Sequence, residues 1–139
     1  MRSRHHFPIS LGVGIALAAT VATPLPRPVL AVAAGLLGTA VDLDHFPVAR
    51  VRTGSWEPLR RCLADPRMAL LAQDEIFETG DVGELTRLGS HLVVTAVAVA
   101  ALAPVARSLA LAAAVVLSVH VACDVVWDLW RWRTGAACR

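Results

Sequence analysis

Several residue types are scarce in this chain of 139 residues. Tyrosine is missing, and all thirteen basic residues are arginine, so lysine is missing too. Charged residues make up 17% of the chain, and the formal net charge of +2 is too small to predict a nucleic-acid or other polyanionic partner. The cysteines Cys62, Cys123 and Cys138 have no C-x-x-C spacing, and their odd number argues against a disulfide framework.

Long apolar stretches are abundant instead. Apolar residues form 56% of the chain, and the mean hydropathy is positive, which fits a membrane protein better than a soluble domain. Four stretches predict helices at about 9–23, 29–41, 82–106 and 108–130. The last two are long enough to cross a hydrocarbon layer, which takes about 20 residues. The first two are short, so a partly inserted hairpin remains an alternative to full crossing.

The fold class predicted from these stretches is an all-α, multi-pass transmembrane helical bundle that forms a single domain over residues 1–139. A loop at about 44–81 separates the second and third stretches. Within it, Asp65 and Pro66 are typical of an N-cap and a first helical position, which predicts a short helix over 66–78. The run from Asp81 to Glu84 has the spacing of a capping box, so the third membrane helix is expected to begin near Val82.

The arginines predict the orientation of this bundle. If all four stretches cross, only Arg27 and Arg107 fall on one side, and eleven arginines fall on the other: Arg2, Arg4, Arg50, Arg52, Arg60, Arg61, Arg67, Arg87, Arg131, Arg133 and Arg139. Because arginine-rich flanks remain in the cytoplasm, we predict a protein of the cell (inner) membrane with both termini cytoplasmic. The lipid bilayer is therefore the expected partner, and the oligomeric state stays open.

A signal peptide is the rival interpretation of the N-terminus. Arg2 and Arg4 followed by an apolar run match the first two parts of such a peptide. The junction at Thr23 and Pro24 is a poor cleavage site, so we expect this segment to remain in the protein.

All five histidines are expected on the cytoplasmic side of the bundle. They are His5 and His6 before the first stretch, His45 after the second, His91 in the third and His120 in the fourth. Carboxylates accompany them: Asp42 and Asp44 precede His45, and Asp124 follows His120 by four residues, which places both on one helical face.

Such side chains are costly inside a membrane, where an Asp at a helix centre costs about 2.5–3.5 kcal/mol. Imidazole and carboxylate together form the ligand set of hydrolytic divalent-metal centres, in which the cation generates a nucleophile from water. Each residue alone has a structural explanation, as an interfacial residue, a helix cap or a hydrogen-bonded pair between helices. Their joint placement on one side favours the metal centre.

These residues resemble the membrane-bound metal-dependent hydrolase family, small multi-pass proteins of bacterial and archaeal membranes. The family opens its first helix with a His, as His6 does here, and has Pro-Asp-x-Asp-His after the second, where this chain has Val41 followed by Asp42, Leu43, Asp44 and His45. A His-x-x-x-Asp pair in the last helix corresponds to His120 and Asp124.

The family's third element, His-Arg-Gly-x-Thr-His, is altered in this chain. Arg87 and His91 match its Arg and second His, but Thr86 stands where the family has its first His, and the glycine is displaced. Loss of a ligand would leave a weaker or mononuclear site, or a protein that keeps the fold without activity.

We therefore expect a hydrolase whose cytoplasmic-side site binds one or two divalent metals (Zn, Mn, Fe or Mg). The candidate metal ligands are His6, Asp42, Asp44, His45, His91, His120 and Asp124. Asp44 is the candidate general base, and Arg87 is the candidate group for an anionic part of the substrate. The expected substrate is an ester or phosphoester, placed on a lipid by the location of the site alone.

Two alternatives stay open. The chain could be a non-catalytic membrane protein, a degenerate relative or assembly partner, that uses its His and Asp residues for helix packing. An ion or proton transporter is the third hypothesis, but it needs polar residues through the whole membrane, and the outer parts of the last two stretches offer only Thr95.

Overall fold

The computed structural model describes residues 3–78 and 80–135, and in these ranges all side chains except those at 3–4, 69–71 and 74. Arg2, Cys138 and Arg139 lie outside the described residues. The seven α-helices of the described ranges are α1 Ser3–Thr20, α2 Arg27–Ala40, α3 His45–Thr53, α4 Glu57–Ala64, α5 Pro66–Leu71, α6 Glu84–Leu102 and α7 Arg107–Arg133. Two short 3-10 helices, Val41–Asp44 and Gln73–Glu75, accompany them, and these ranges contain no strand. The all-α prediction is confirmed.

Three helical segments are long and apolar enough to cross a membrane. They are Arg27–Thr53, in which the first 3-10 helix joins α2 to α3, together with Glu84–Leu102 and Arg107–Arg133. The chain therefore has the helices of a membrane protein. α1 has 18 residues and is not one of the three segments. The number of crossings and the cytoplasmic placement of both termini remain predictions.

The loop before α6 is more helical than the sequence indicated. α3 follows directly on the 3-10 helix. Pro47 lies in the first turn of α3, where its missing N–H costs little. Gly54 ends α3 in the left-handed conformation, with φ of 75°. Asp65 caps α5 as predicted, accepting a hydrogen bond of 3.0 Å from the backbone N–H of Arg67, but α5 ends at Leu71 instead of near residue 78.

The capping box predicted before the third membrane helix is wrong. α6 begins at Glu84, with Gly83 as an N-cap that has no side chain to donate or accept. The carboxylate of Asp81 instead accepts a hydrogen bond of 2.9 Å from the backbone N–H of Glu78. Asp81 therefore stabilises the preceding turn and does not cap α6. The helix starts two residues later than expected.

Small residues bring α1 and α2 into close antiparallel contact. Ser10 lies beside Gly38, and Gly14 lies against Ala31 and Ala34, so sequence positions rise along one helix as they fall along the other. Membrane helices commonly associate through such small residues, which let the backbones approach. α7 packs on both helices around a core of Leu17, Ala18, Leu30, Ala34, Ala112 and Val116, and α6 packs on α7. The end of this bundle beyond Ser10 and Gly38 is the polar one.

Two glycines of α1 allow the close contact to be tested. A Cβ at Gly14 would lie 2.6 Å from the Cβ of Ala34, whereas a Cβ at Gly12 would meet nothing within 4 Å. We expect Gly14→Ala to lower the stability of the bundle by about 1–3 kcal/mol through overpacking, and Gly12→Ala not to lower it. Thermal unfolding in detergent, followed by circular dichroism, measures both. Equal melting temperatures for the two variants would contradict the packing described here.

Candidate metal centre

Five polar side chains are buried together at the polar end of the bundle. Their residues are at most 8% exposed, and they come from α1, the first 3-10 helix, α6 and α7: His6, Asp42, His91, His120 and Asp124. Asp44 and His45 lie at the rim of this group. We call these seven residues the polar cluster. Every residue predicted as a metal ligand from the sequence thus lies in one place, although five separate helical elements supply them.

Local helix geometry explains how the side chains meet. On α1, Ser10 packs on Gly38, and His6 is one turn nearer the polar end on the same face. The 3-10 helix that follows α2 turns Asp42 inward, where it is 8% exposed, while Leu43 beside it is 61% exposed. α7 supplies both His120 and Asp124. These two side chains lie on one face of the helix because residues four apart in an α-helix share a face.

One oxygen of Asp42 lies at the centre of three imidazoles. Asp42 Oδ1 is 3.3 Å from Nε2 of His120, 3.4 Å from Nε2 of His91 and 3.9 Å from Nε2 of His45. These imidazoles come from α7, α6 and the start of α3. The carboxylate therefore joins three elements that are distant in the sequence.

Two of these imidazoles are oriented through their other nitrogen. Nδ1 of His91 lies 2.8 Å from Oδ2 of Asp44, and Nδ1 of His120 lies 2.7 Å from the backbone oxygen of Gly38. Because a backbone oxygen can only accept, Nδ1 of His120 carries a proton, and in the neutral ring Nε2 then has a lone pair. Hydrogen bonding of one ring nitrogen to a carboxylate or carbonyl is the usual way in which proteins orient a metal-binding histidine.

The remaining imidazoles flank this arrangement. His6 Nε2 lies 3.2 Å from Asp124 Oδ1, and the His6 ring stacks on the ring of His120 with 3.7 Å between centroids. The His45 ring stacks on the ring of His91 at 5.1 Å. Asp124 Oδ2 is also 3.7 Å from His120 Nε2, so Asp124 faces imidazoles of both α1 and α7.

Besides Nδ1 of His6, three imidazole Nε2 atoms in the cluster have no hydrogen-bond partner within the described part of the chain. They are Nε2 of His45, His91 and His120, and each is shielded from solvent. A buried polar atom without a partner costs about 1–3 kcal/mol, so such atoms usually indicate a bound group. His6, Asp42, His120 and Asp124 present one ligand atom each within 4.8 Å of one another, and so do Asp42, His45 and His91. The cluster can therefore hold a metal ion.

Acidic groups outnumber basic ones at the site. Arg87 of α6 pairs with Asp128 of α7, and its Nε is 3.6 Å from Asp124 Oδ2. The guanidinium that the sequence suggested for an anionic substrate group is thus already held by acids. With Asp42 and Asp44, the described part of the site has four carboxylates against one guanidinium, which leaves three negative charges when the imidazoles are neutral.

Thr86 and His5 lie away from the polar cluster. Thr86, at the position of the family's additional histidine, is exposed on α6, and its hydroxyl accepts a hydrogen bond of 3.2 Å from Nη1 of Arg52. Its neighbour Arg87 points to α7, so position 86 faces a different side of the helix. His5 is partly exposed and belongs to neither ligand group. Thr86 and His5 therefore contribute no ligand atom to either group.

Sequence reasoning missed three contributors. The carbonyl of Gly38 orients His120, Asp128 holds Arg87, and Ser10 is 1% exposed beside Gly38 with a hydroxyl that has no hydrogen-bond partner in the described ranges. Ser10 and Asp128 had a signal, since each lies one turn from a cluster residue, His6 or Asp124. A backbone carbonyl carries no residue-type signal, so the role of Gly38 follows from coordinates alone.

Comparison of the chain with protein-family models, with curated proteins and with solved structures found no match to any of them. The likeness to membrane-bound metal-dependent hydrolases therefore depends on the motifs quoted above.

The contact between Asp44 and His91 gives a test of the site. Asp44 lies outside both ligand groups but orients His91, so Asp44→Ala should weaken divalent-metal affinity about 10–100-fold without abolishing binding. Isothermal titration of the purified protein in detergent with Zn²⁺ or Mn²⁺ measures the change. Glu57→Ala, which removes an exposed carboxylate on α4, is the control and should leave the affinity unaltered. Unchanged affinity in Asp44→Ala would mean that the bond to His91 plays no part in metal binding.

Proposed function

We propose that this protein is a membrane-embedded, metal-dependent hydrolase of esters or phosphoesters. The observation that carries the proposal is the arrangement around Asp42 Oδ1, which lies 3.3 Å and 3.4 Å from two buried Nε2 atoms without hydrogen-bond partners in the described chain. Ligands bound at about 2.1 Å to a tetrahedral cation stand about 3.4 Å apart. The imidazole and carboxylate atoms are thus spaced as ligands of one ion.

The donor set supports hydrolysis more than a purely structural metal. Structural zinc sites are typically closed and rich in cysteine, whereas catalytic sites combine histidine with carboxylate and keep a position for water. The cysteine nearest the cluster in sequence, Cys123, is absent from both ligand groups. A divalent cation held by the cluster would activate water and polarise the bond to be cleaved.

The position of the cluster along α7 supports a lipid-borne substrate. His120 is 13 residues from Arg107, or about 20 Å along the helix. In a hydrocarbon layer about 30 Å thick that begins at Arg107, His120 lies about 10 Å from the opposite surface. Lipid ester bonds lie at the edge of that layer, and Asp124, one turn further along α7, is about 5 Å from the edge. The arginine distribution predicts that this surface is cytoplasmic, and Trp130 and Trp132 at the same end of α7 are exposed, as expected of residues at the headgroup level.

Metal content tests the proposal directly. Protein purified in detergent and reloaded with Zn, Mn, Fe or Mg should retain metal after gel filtration, because several buried ligands converge. The double variant His120→Ala, Asp124→Ala should lose that metal, and His5→Ala, a histidine outside both ligand groups, should retain it. Elemental analysis of the protein peak gives the ratio. A wild-type protein with no more metal than the double variant would reject the metal centre.

Hydrolysis is tested with chromogenic substrates. Wild-type protein in detergent should cleave p-nitrophenyl butyrate or bis-p-nitrophenyl phosphate in a reaction that a chelator stops and added metal restores. Asp42→Ala should lower the rate about 100-fold or more, since the substitution removes a carboxylate that faces three imidazoles. Glu57→Ala again serves as the control. Turnover that is insensitive to the chelator would exclude the proposed chemistry.

The second candidate function is a non-catalytic membrane protein in which the cluster fastens the helices. Both nitrogens of His91 face carboxylates, Asp44 at 2.8 Å and Asp42 at 3.4 Å, which is also the arrangement of a protonated imidazole between two acids. This alternative expects no bound metal, and it expects His91→Ala to lower the melting temperature of metal-free protein. The metal analysis above separates the two.

A further inference from the structure

The two ligand groups of the cluster have one residue in common. His6, Asp42, His120 and Asp124 form the first group, and Asp42, His45 and His91 form the second. We propose that the cluster binds two divalent cations, one in each group, bridged by the carboxylate of Asp42. This inference depends on the metal centre of the proposed function and goes beyond it in number, ligand assignment and substrate class.

The distances fit two neighbouring ions. Ligands about 2.1 Å from a cation stand between about 3.0 Å apart, as octahedral neighbours, and about 4.2 Å apart, when they are opposite. In the second group, Asp42 Oδ1 lies 3.4 Å from His91 Nε2 and 3.9 Å from His45 Nε2. In the first group, the same oxygen lies 3.3 Å from His120 Nε2. All three separations fall in the ligand range.

A single cation would leave buried nitrogens unsatisfied. The first group alone supplies four candidate ligands, which is enough to hold one cation. Nε2 of His45 and Nε2 of His91 would then still lack a partner among the described residues, although the His91 side chain is fully buried. Nδ1 of His91 lies 2.8 Å from Asp44, so in the neutral ring Nε2 carries a lone pair on the side that faces Asp42 and is free to bind a cation. A second ion uses both nitrogens.

The charges of the site agree with this number. Among the described residues, Asp42, Asp44, Asp124 and Asp128 against Arg87 give three negative charges with neutral imidazoles. One divalent cation leaves one negative charge, which would repel an anionic substrate. Two divalent cations leave one positive charge, which attracts it. Paired cations are the arrangement of phosphatases and nucleases, so the second group favours a phosphoester over a carboxylic ester as the substrate class.

The experiment counts metal ions in matched variants. Each protein is saturated with Mn²⁺ or Zn²⁺ in detergent, freed of excess metal by gel filtration, and analysed for metal per chain. We expect two ions in wild type, two in His5→Ala, and one in His45→Ala, which removes a ligand of the second group only. His45→Gln keeps the size of the side chain and should also bind one ion, so a folding defect of the alanine variant does not decide the outcome.

Electron paramagnetic resonance of the Mn²⁺-loaded protein tests the bridge. Two Mn²⁺ ions that share Asp42, at the spacing of about 3.5–4 Å typical of two-metal sites, couple magnetically and give a spectrum different from the six lines of an isolated ion. His45→Ala should restore the six-line spectrum. Wild type with one ion per chain, wild type with two uncoupled ions, or His45→Ala with two ions would each overturn the pair and leave the single metal centre standing. Wild type without metal would overturn both.

Discussion

The buried carboxylate of Asp42 is the constraint on which the rest of the polar end depends. A charge inside an apolar bundle is stable only when it is neutralised and hydrogen-bonded or bound to a metal. Asp42 is 8% exposed, and the groups that face its Oδ1 are imidazole nitrogens, which are neutral unless they gain a proton. The imidazoles around this oxygen therefore supply positive charge only when they are protonated, and a bound cation is the other source that the cluster can accommodate. Protonated imidazoles and a bound cation both require α1, α6 and α7 to bring their polar residues to the same depth around the 3-10 helix. The fold therefore determines which chemistry is possible at Asp42.

Close packing of small residues makes that convergence possible. Gly38 performs two roles: without a Cβ it admits Ser10 of α1, and its carbonyl accepts the Nδ1 proton of His120. A larger residue there would overlap the Ser10 hydroxyl and displace α1, which also carries His6. The distance from His6 to Asp124 thus depends on a contact one turn further into the apolar part of the bundle. The packing of α1 on α2 therefore also determines the positions of candidate ligands in the polar cluster.

The fold class and the membership of the cluster could be predicted from the sequence, but the pairing within it could not. Apolar stretches and the placement of His6, Asp42, His91, His120 and Asp124 carry strong residue-type signals, and the structure brings these residues together. The directions of Arg87 and Thr86 depend on how α6 is rotated against α7, which tertiary packing determines and residue types do not indicate. Arg87 therefore meets Asp128 instead of a free pocket, and Thr86 meets Arg52 on another face. The use of the Gly38 carbonyl has no sequence signature.

The choice between protons and a cation at Asp42 can be argued from the imidazoles themselves. Hydrogen bonds from Nε2 of both His91 and His120 to Oδ1 of Asp42 would require both rings to be cationic, because their Nδ1 atoms are already bonded to Asp44 and to the carbonyl of Gly38. Protonation of His45 would add a third cationic ring. The His91 ring centroid is 5.1 Å from that of His45 and 4.9 Å from that of His120. Two positive charges about 5 Å apart repel by about 3 kcal/mol at an effective dielectric constant of about 20, and three imidazolium rings would contain more than one such pair. A cation needs only their lone pairs and adds no repulsion between the rings. The short distances between the imidazole rings therefore disfavour multiple protonation and suit a bound metal ion.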